Sequence, residues 1–563
     1  MPTIDVDLAE LQKLLGKSYR GKMKKLDDDL AFVKAEVKGQ NEKEGTISVE
    51  CKDTNRPDLW SAEGLARGLR CYLNLENGLR TYETGKPTLD VHVDVQLKNI
   101  RPFIACSTIK DVNLTDMAIR DLMHLQDKLD QTYGRSRQKT SIGIYCLDLI
   151  TPPLTYTVAK PQEFSFVPLG FTEKLTLAEI LERHPKGQQY SHIVGKHTVY
   201  PILLDAKKNV LSFPPIINSN DLGRVTEEAH NLLIEVTGTQ QTTVQNTLTL
   251  VTTALVDRGG KACSANILYP SDPIYPKAKV VTPNFGSRKM NLNVKYASSI
   301  IGLQLSAKQI GELLLVAGLG VERVTKETVE VQVPCYRIDV MHAVDLVEDV
   351  AVAYGYNRIE PLWRDLPTLG SADPTQRKLS TARELMVGAG YQEILTNTLT
   401  NPQSLFDKMN REPTSTVELS NPKVVTMTCM RSWLLPGLME FLSVNPSVEF
   451  PQRIFELGKT TAFDETAETK TREEEWLAAA TTHANAGFSE IKACLDALFR
   501  NLGVQFQITP TSHASFIEGR AGAITVAGDP VGVVGEVNPF VLEMWKLENP
   551  VAAFEVNVRR FLT

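Results

Sequence analysis

The sequence is short of the residues that build metal centres and cross-linked scaffolds. Its 563 residues include eight cysteines (51, 71, 106, 146, 263, 335, 429 and 494), widely spaced and with no C-x-x-C pair. That spacing excludes a disulfide framework and argues against a thiolate zinc site. Reduced, buried thiols in the cytoplasm are the expectation. The nine histidines form no H-E-x-x-H pattern, and neither G-x-x-x-x-G-K-[ST] nor a G-x-G-x-x-G after a strand occurs. An independent nucleotide-triphosphate enzyme is therefore not indicated. No run approaches the ~20 apolar residues that span a bilayer, so no membrane partner is expected. The N-terminus lacks the basic-then-apolar pattern of a leader. Positive charge is not in excess either: the formal net charge is −6. Any nucleic-acid contact must come from local patches.

What is present is an ordinary globular composition, 42% hydrophobic and 23% charged, in a chain long enough for three to five domains. Helical and strand patterns alternate, giving an α+β multidomain fold with boundaries at 1–95, 96–280, 286–362 and 371–563. Ser61 is placed to cap a helix with Gly64 three residues on, and TISVECK reads as a strand. MAIRDLMHLQDKLDQTYG has helical spacing, and LTLAEILERHPKG is a helix stopped by Pro185. YPILLD, VLSFPP and NLLIEVTG read as strands, with a helix opening at Thr239. Ser306 caps AKQIGELLLVAG, TVEVQVP alternates as a strand, and HAVDLVEDVAVAYGYN is a helix closed by Gly355. PLWRDLPTLGSADP reads as a linker. Beyond it lie a helix TQRKLSTARELMVGAGYQEI, a strand ILTNTLT, hairpins in RIFELGKTTAFDE and AITVAGDPVGVVGEV, and a helix GFSEIKACLDALFRNLG. DETAETKTREEE reads as a solvated loop.

Three constellations carry possible chemistry. Asp345, Glu348 and Asp349 fall at i, i+3 and i+4 on one helix face, with Asp339 just ahead. Converging carboxylates need neutralising, and Mg²⁺ suits a few of them plus water. A solvated acidic helix face explains the same spacing. The turn Thr237-Gly238-Thr239 after the strand holding Glu235 offers amides and hydroxyls for an anion or developing oxyanion, or simple capping. The loop around Ser212 and Asn218 lies upstream. Arg135, Arg137 and Lys139 beside Tyr133 suit phosphate and base contact, or form a solvated basic loop.

Longer stretches carry a resemblance. Asn55-Arg-Pro-Asp-Leu-Trp-Ser-Ala-Glu-Gly-Leu-Ala-Arg67, VLSFPPIINSND, NLLIEVTGT, CYRIDVMHAVDLVEDVAVAYGYN, FPQRIFELG and NPVAAFEVN resemble phenylalanyl-tRNA synthetase beta subunits. The length and YGRSRQKTSIGIY favour the archaeal form. The resemblance implies an N-terminal α+β domain, a tRNA-editing domain, a small helix-turn-helix-like module, and a degenerate class II synthetase-like antiparallel sheet domain. It implies a separate alpha subunit that binds ATP and phenylalanine, an (αβ)₂ heterotetramer, and tRNA(Phe) as partner. Asp339, Asp345, Glu348 and Asp349 coincide with the family's Mg²⁺ ligands. It also implies hydrolysis of tyrosyl-tRNA(Phe): Glu235 would accept the phenol, Thr237 and the amides at 238 and 239 would serve the ester oxygen, and Leu203, Ser212 and Asn218 would line the pocket. Arg135 and Arg137 would hold the acceptor end. Cys146 stands where an Asp is expected, and family members carry Asp or Glu at position 235. No G-x-G-x-x-R-like strand appears near the C-terminus, where AAFEVNVRRF stands, so the chain alone is not expected to charge tRNA. A structural tRNA-binding subunit with an inactive editing pocket is the alternative. A free-standing metal-dependent hydrolase is the third reading.

Overall fold

A computed structural model describes residues 2–19, 21–275, 277–363 and 368–562. The chain is mixed α+β in two compact units, one ending at Leu362 and the other beginning at Trp363. The centre of the expected linker, 364–367, lies outside the described residues.

Among the described residues the first unit contains three larger sheets and a two-stranded one, Ser165–Phe166 with Leu175–Thr176. Thr3–Asp7, Thr46–Cys51 and Ala35–Asn41 form a three-stranded antiparallel sheet against Ala62–Tyr72, a helix capped by Ser61 Oγ accepting from Gly64 N–H. The second sheet is ten-stranded. It runs from Ile217–Asn218 through Val210–Phe213, Tyr200–Leu204, Leu154–Ala159, Gly85–Val93, Lys261–Leu268, Phe103–Lys110 and Leu232–Gly238 to Thr140–Cys146, with Lys279–Thr282 paired beside Lys261–Leu268. Gly85–Val93 precedes the boundary expected at 95, yet it is hydrogen-bonded in parallel to strands on both sides. Its alternating Leu89, Val91 and Val93 are buried in the core shared with the N-terminal helices, so the core crosses that boundary. The third sheet, Arg288–Asn293, Thr328–Val333 and Gly320–Val324, packs on helices Ala307–Val316 and Ala343–Tyr354 around its own core.

Helix Gln241–Asp257 begins two residues beyond Thr239 and covers one face of the large sheet. Two of its buried threonines find partners: Thr249 Oγ1 donates to Gln245 O, and Thr252 Oγ1 bonds Ser107 Oγ at 2.8 Å. Ser107 is the registered partner of Ile234, so these residues mark the helix-covered face. By the pleat, Cys106, Glu235 and Gly143 face the other way. Pro185 does more than stop a helix. Leu177–Arg183 ends before His184, and Pro185 opens Pro185–Val194, where its missing N–H costs nothing.

The second unit is a seven-stranded sheet: Gln392–Glu393, Gln452–Phe463, Thr471–Thr482, Val551–Asn557, Asp529–Val537, Phe516–Val526 and Gln507–Pro510. Helices Pro374–Gly388 and Phe488–Asn501 share one core with Leu477 and Ala479. Helix Leu435–Val444 shares the other with Ala478 and Ala480. Two expectations are corrected here. ILTNTLT contributes only Leu399–Thr400 as strand, because Thr396 is drawn to Glu456 (2.6 Å) and Arg431 (2.8 Å). TREEE is strand rather than loop: Thr471–Glu475 pair with Phe463–Lys459, and Lys459 meets Glu473 at 3.0 Å.

A buried ion pair fastens the first unit. Arg67 Nη1 lies 2.5 Å from Asp257 Oδ2, Tyr82 O–H donates to Asp257 Oδ1 at 2.9 Å, and the guanidinium sits 4.3 Å from the Tyr336 ring centre. Removing one partner of such a pair leaves an uncompensated buried charge. Asp257→Ala is expected to lower unfolding stability by about 3–5 kcal/mol, read as a shift of the urea midpoint of the first unit.

Candidate functional site

The face opposite helix Gln241–Asp257 carries the site. Strand Leu232–Gly238 lies between Phe103–Lys110 and Thr140–Cys146, so Glu235 sits in the sheet interior, opposite Cys106 and Gly143. It is 2% exposed. Gly143 matters for what it lacks: a Cβ there would stand 2.5 Å from Glu235 Oε2 and closer still to the Tyr145 hydroxyl. Through that gap Tyr145 O–H donates to Glu235 Oε2 at 2.8 Å and reaches Asn218 Oδ1 at 3.4 Å. Glu235 Oε1 is buried without a hydrogen-bond partner. Burial pushes the carboxyl up to about 7, against the Tyr145 bond, the positive charge of Arg101 and the nearby Thr237 hydroxyl.

Glu235 forms one wall of a cavity of about 200 Å³. Ser141, Ile142 and Ile144 line it from the neighbouring strand, and Met123, Gln126 and Asp127 from helix Asp116–Gln131. Ser212, Phe213, Pro214, Pro215, Ile217 and Asn218 line it from the loop, with Lys186 also contributing. The loop is pinned by Arg137, whose Nη1 donates to Pro215 O (3.2 Å) and Ile216 O (2.9 Å) while Nε pairs with Asp130 at 2.9 Å.

The structure thus gathers Glu235, Ser212 and Asn218 at one cavity. Leu203 and Thr237 are not on its lining. Leu203 is fully buried beside Ser212 in the strand register. Thr237 Oγ1 accepts from Arg101 Nε at 3.0 Å and bonds Ser141 Oγ at 3.2 Å. The Thr239 N–H donates to Lys139 O at 3.0 Å, and Gly238 is inside the strand ladder. The turn therefore does not present the free donors that its sequence suggested. Arg135 is exposed, but Arg137 is buried and engaged, so the two do not act as a pair. Cys146 is half-buried at the strand end, away from the cavity. Sequence reasoning missed Tyr145, Gly143 and Arg101. The alternation of Ser141, Gly143 and Tyr145 along one strand face could have flagged the first two.

The acidic cluster is already paired within the chain. Asp339 and Asp349 both pair with Arg337 Nη2, at 2.8 and 2.9 Å, and Arg56 Nε stands 3.6 Å from Asp339. Burial alone would raise Asp339, but the two arginines hold it below the usual carboxylate range, whereas burial raises Asp349 despite them. Glu348 pairs with Lys34, which also meets Asp53 at 2.9 Å. Asp345 Oδ2 accepts the N–H groups of Met341 (2.7 Å) and His342 (2.6 Å) at its helix start. The positive charge that the spacing argument assigned to Mg²⁺ is already supplied by Arg337, Arg56 and Lys34. Among the described residues no group of three or more acidic, histidine or cysteine side chains could hold a metal. The donor set does not fit the ion that the resemblance implied.

Comparisons with known proteins bear on the whole chain. Residues 363–558 match the family model described as the phenylalanyl tRNA synthetase beta chain CLM domain, and residues 290–356 that of the tRNA synthetase B5 domain. The phenylalanine–tRNA ligase beta subunit of Pyrococcus furiosus is 42% identical over 558 residues, spanning 99% of each chain. That of Methanocorpusculum labreanum is 37% identical over 564 residues, spanning all of both. The crystal structure of an N-terminal fragment of the phenylalanyl-tRNA synthetase beta subunit from Pyrococcus horikoshii superposes with a TM-score of 0.60. It is 38% identical and covers 63% of this chain and 100% of the fragment.

The raised carboxyl makes stability depend on pH. Glu235 goes from an ordinary 4.5 to about 7 in the fold, so its contribution is fully present below pH 4.5 and lost as pH rises through 7. Glu235→Gln cannot titrate. Between pH 4.5 and 8 the variant is expected to lose about 3 kcal/mol less unfolding free energy than the parent, measured by urea denaturation.

Proposed function

The chain belongs to the family of phenylalanine–tRNA ligase beta subunits, so it is part of an aminoacyl-tRNA synthetase; from that premise we propose that its cavity hydrolyses tyrosyl-tRNA(Phe). The ligase reaction itself, we propose, belongs to a separate alpha subunit. That subunit would bind ATP and phenylalanine in an (αβ)₂ heterotetramer, with the B5-like and class II-like modules of this chain as scaffold. Mg²⁺ enters this reading through the family alone, and no step is routed through it.

One observation carries the hydrolytic reading: Glu235 lines a cavity of about 200 Å³ and has a buried oxygen, Oε1, without a hydrogen-bond partner. That volume falls below the ~300 Å³ at which small-molecule pockets usually begin. A tyrosyl phenol would complete the pairing of Oε1, while a phenylalanyl ring would leave it unpaired. A hydrogen bond to a charged group is worth about 1.5–3 kcal/mol, roughly 10–100-fold in selectivity. A synthetic pocket that is merely apolar rejects an added hydroxyl by only about 10²-fold, so a second sieve that welcomes it restores accuracy.

No histidine or cysteine lines the cavity. Cys106, beside Glu235, is held by burial as a neutral thiol and is a poor nucleophile. We therefore assign the attack to water: its oxygen adds to the ester carbon, and the ribose oxygen leaves as a hydroxyl. Lys186 at the lining supplies positive charge suited to a tRNA phosphate.

Co-expressed with its alpha subunit, the parent complex is expected to deacylate tyrosyl-tRNA(Phe). Glu235→Ala should slow this at least about 10-fold while leaving phenylalanine charging within about 2-fold. Unchanged deacylation in the variant removes Glu235 from the site. Absence of deacylation in the parent leaves the inactive-pocket reading.

A further inference from the structure

Glu235 has two oxygens in different situations, and that asymmetry needs a cause. In the antiparallel register Gly143 is directly opposite Glu235 and Tyr145 is its diagonal neighbour, paired with Leu233. Ordinarily the residue opposite would fill the space between them. Here it has no side chain, and the phenol of Tyr145 reaches across to Oε2 at 2.8 Å. Tyr145 is fully buried. Its second contact is Asn218 Oδ1 at 3.4 Å, so the phenol is itself oriented by the loop that closes the cavity. On the same face Arg101 is buried at 1% exposure and bonded to Thr237 and Ser141, and its charge acts on the carboxylate. Tyr145 holds one oxygen, and the other is buried without a hydrogen-bond partner in a side chain that lines the cavity.

We propose that Tyr145, given clearance by Gly143, is a positioning residue that occupies one oxygen of Glu235 so that the other can take a substrate phenol. The protein thereby sets its own phenol and the ligand's phenol on the two sides of one carboxylate. Tyr145 acts through Glu235 and does not touch the scissile ester. The specificity for tyrosyl over phenylalanyl groups comes from the pair, and Glu235 alone would supply less of it. This rests on the reading that the cavity receives an aminoacyl side chain.

The test uses Tyr145→Phe, which removes only the hydroxyl, and Gly143→Ala, which fills the gap, in the co-expressed complex. Two readouts are taken: binding of L-tyrosinamide against L-phenylalaninamide by calorimetry, and KM and kcat for deacylation of tyrosyl-tRNA. Tyr145→Phe is expected to cut the preference for tyrosinamide about 10-fold and to raise the deacylation KM by a similar factor, with the smaller change in kcat. Gly143→Ala should do the same. A purely packing role would weaken both amides equally. That result, or a preference retained in Tyr145→Phe, overturns the proposal. If the parent does not deacylate but prefers tyrosinamide in a Tyr145-dependent way, the hydrolytic reading fails and this one stands. If the parent deacylates and Tyr145→Phe keeps its preference, the reverse holds. If the parent shows neither activity nor preference, both fail.

Discussion

A carboxylate buried in the interior of a ten-stranded sheet must have its oxygens answered, and the first unit is arranged around that demand. An unpaired ionised group at such a position is among the costliest features a fold can carry. Glu235 meets the cost in two ways: Tyr145 donates to one oxygen, and burial raises the carboxyl to about 7, so the neutral form is accessible at working pH. The missing side chain at Gly143 makes the first possible. Arg101, bonded to Thr237 and Ser141, supplies positive charge on the same face without being exposed to solvent. The remaining oxygen is the part of the demand the protein leaves open, and Glu235 lines a cavity of about 200 Å³. Function in this account is an unfinished hydrogen-bond network waiting for a ligand hydroxyl.

The acidic helix Ala343–Tyr354 solves the same electrostatic problem differently. Asp339, Glu348 and Asp349 are answered by Arg337, Arg56 and Lys34, and Asp345 by backbone N–H groups. Lys34 and Arg56 come from the N-terminal segment, some three hundred residues away, so the pairs bind the small module to the rest of the first unit. The acidic cluster and the lone Glu235 therefore have opposite outcomes. One is closed by arginine and lysine, and the other keeps an oxygen free.

Much of this was legible in the sequence, and the failures have physical causes. Period-two and helical patterns located the strand around Glu235, the helices Asp116–Gln131 and Ala343–Tyr354, and Ser61 as a cap, because those signals are local. The family was legible because long ordered segments matched. What the sequence hid was register. Nothing local says that Gly143 stands opposite Glu235, or that Tyr145 reaches diagonally to it. Nothing local shows Arg56 and Lys34 beside a helix at residue 348. Thr237-Gly238-Thr239 looked like an anion nest because turn chemistry was read without its ladder. Once Lys139 O and Arg101 are placed, its donors and hydroxyl are already in use. TREEE was misread for a related reason: charge suggested solvent, while the ladder with Phe463–Lys459 gave those residues a strand.

The central claim is geometric, and the most direct measurement is a crystal structure of the chain with a non-hydrolysable 3′-tyrosylamino-adenosine analogue. The account predicts the tyrosyl ring inside the cavity lined by Ser212, Phe213 and Asn218, with the phenol oxygen within hydrogen-bond distance of Glu235 Oε1 and the Tyr145 bond to Oε2 intact. A ring bound elsewhere, or one inside the cavity with its hydroxyl turned away from Glu235, would contradict it.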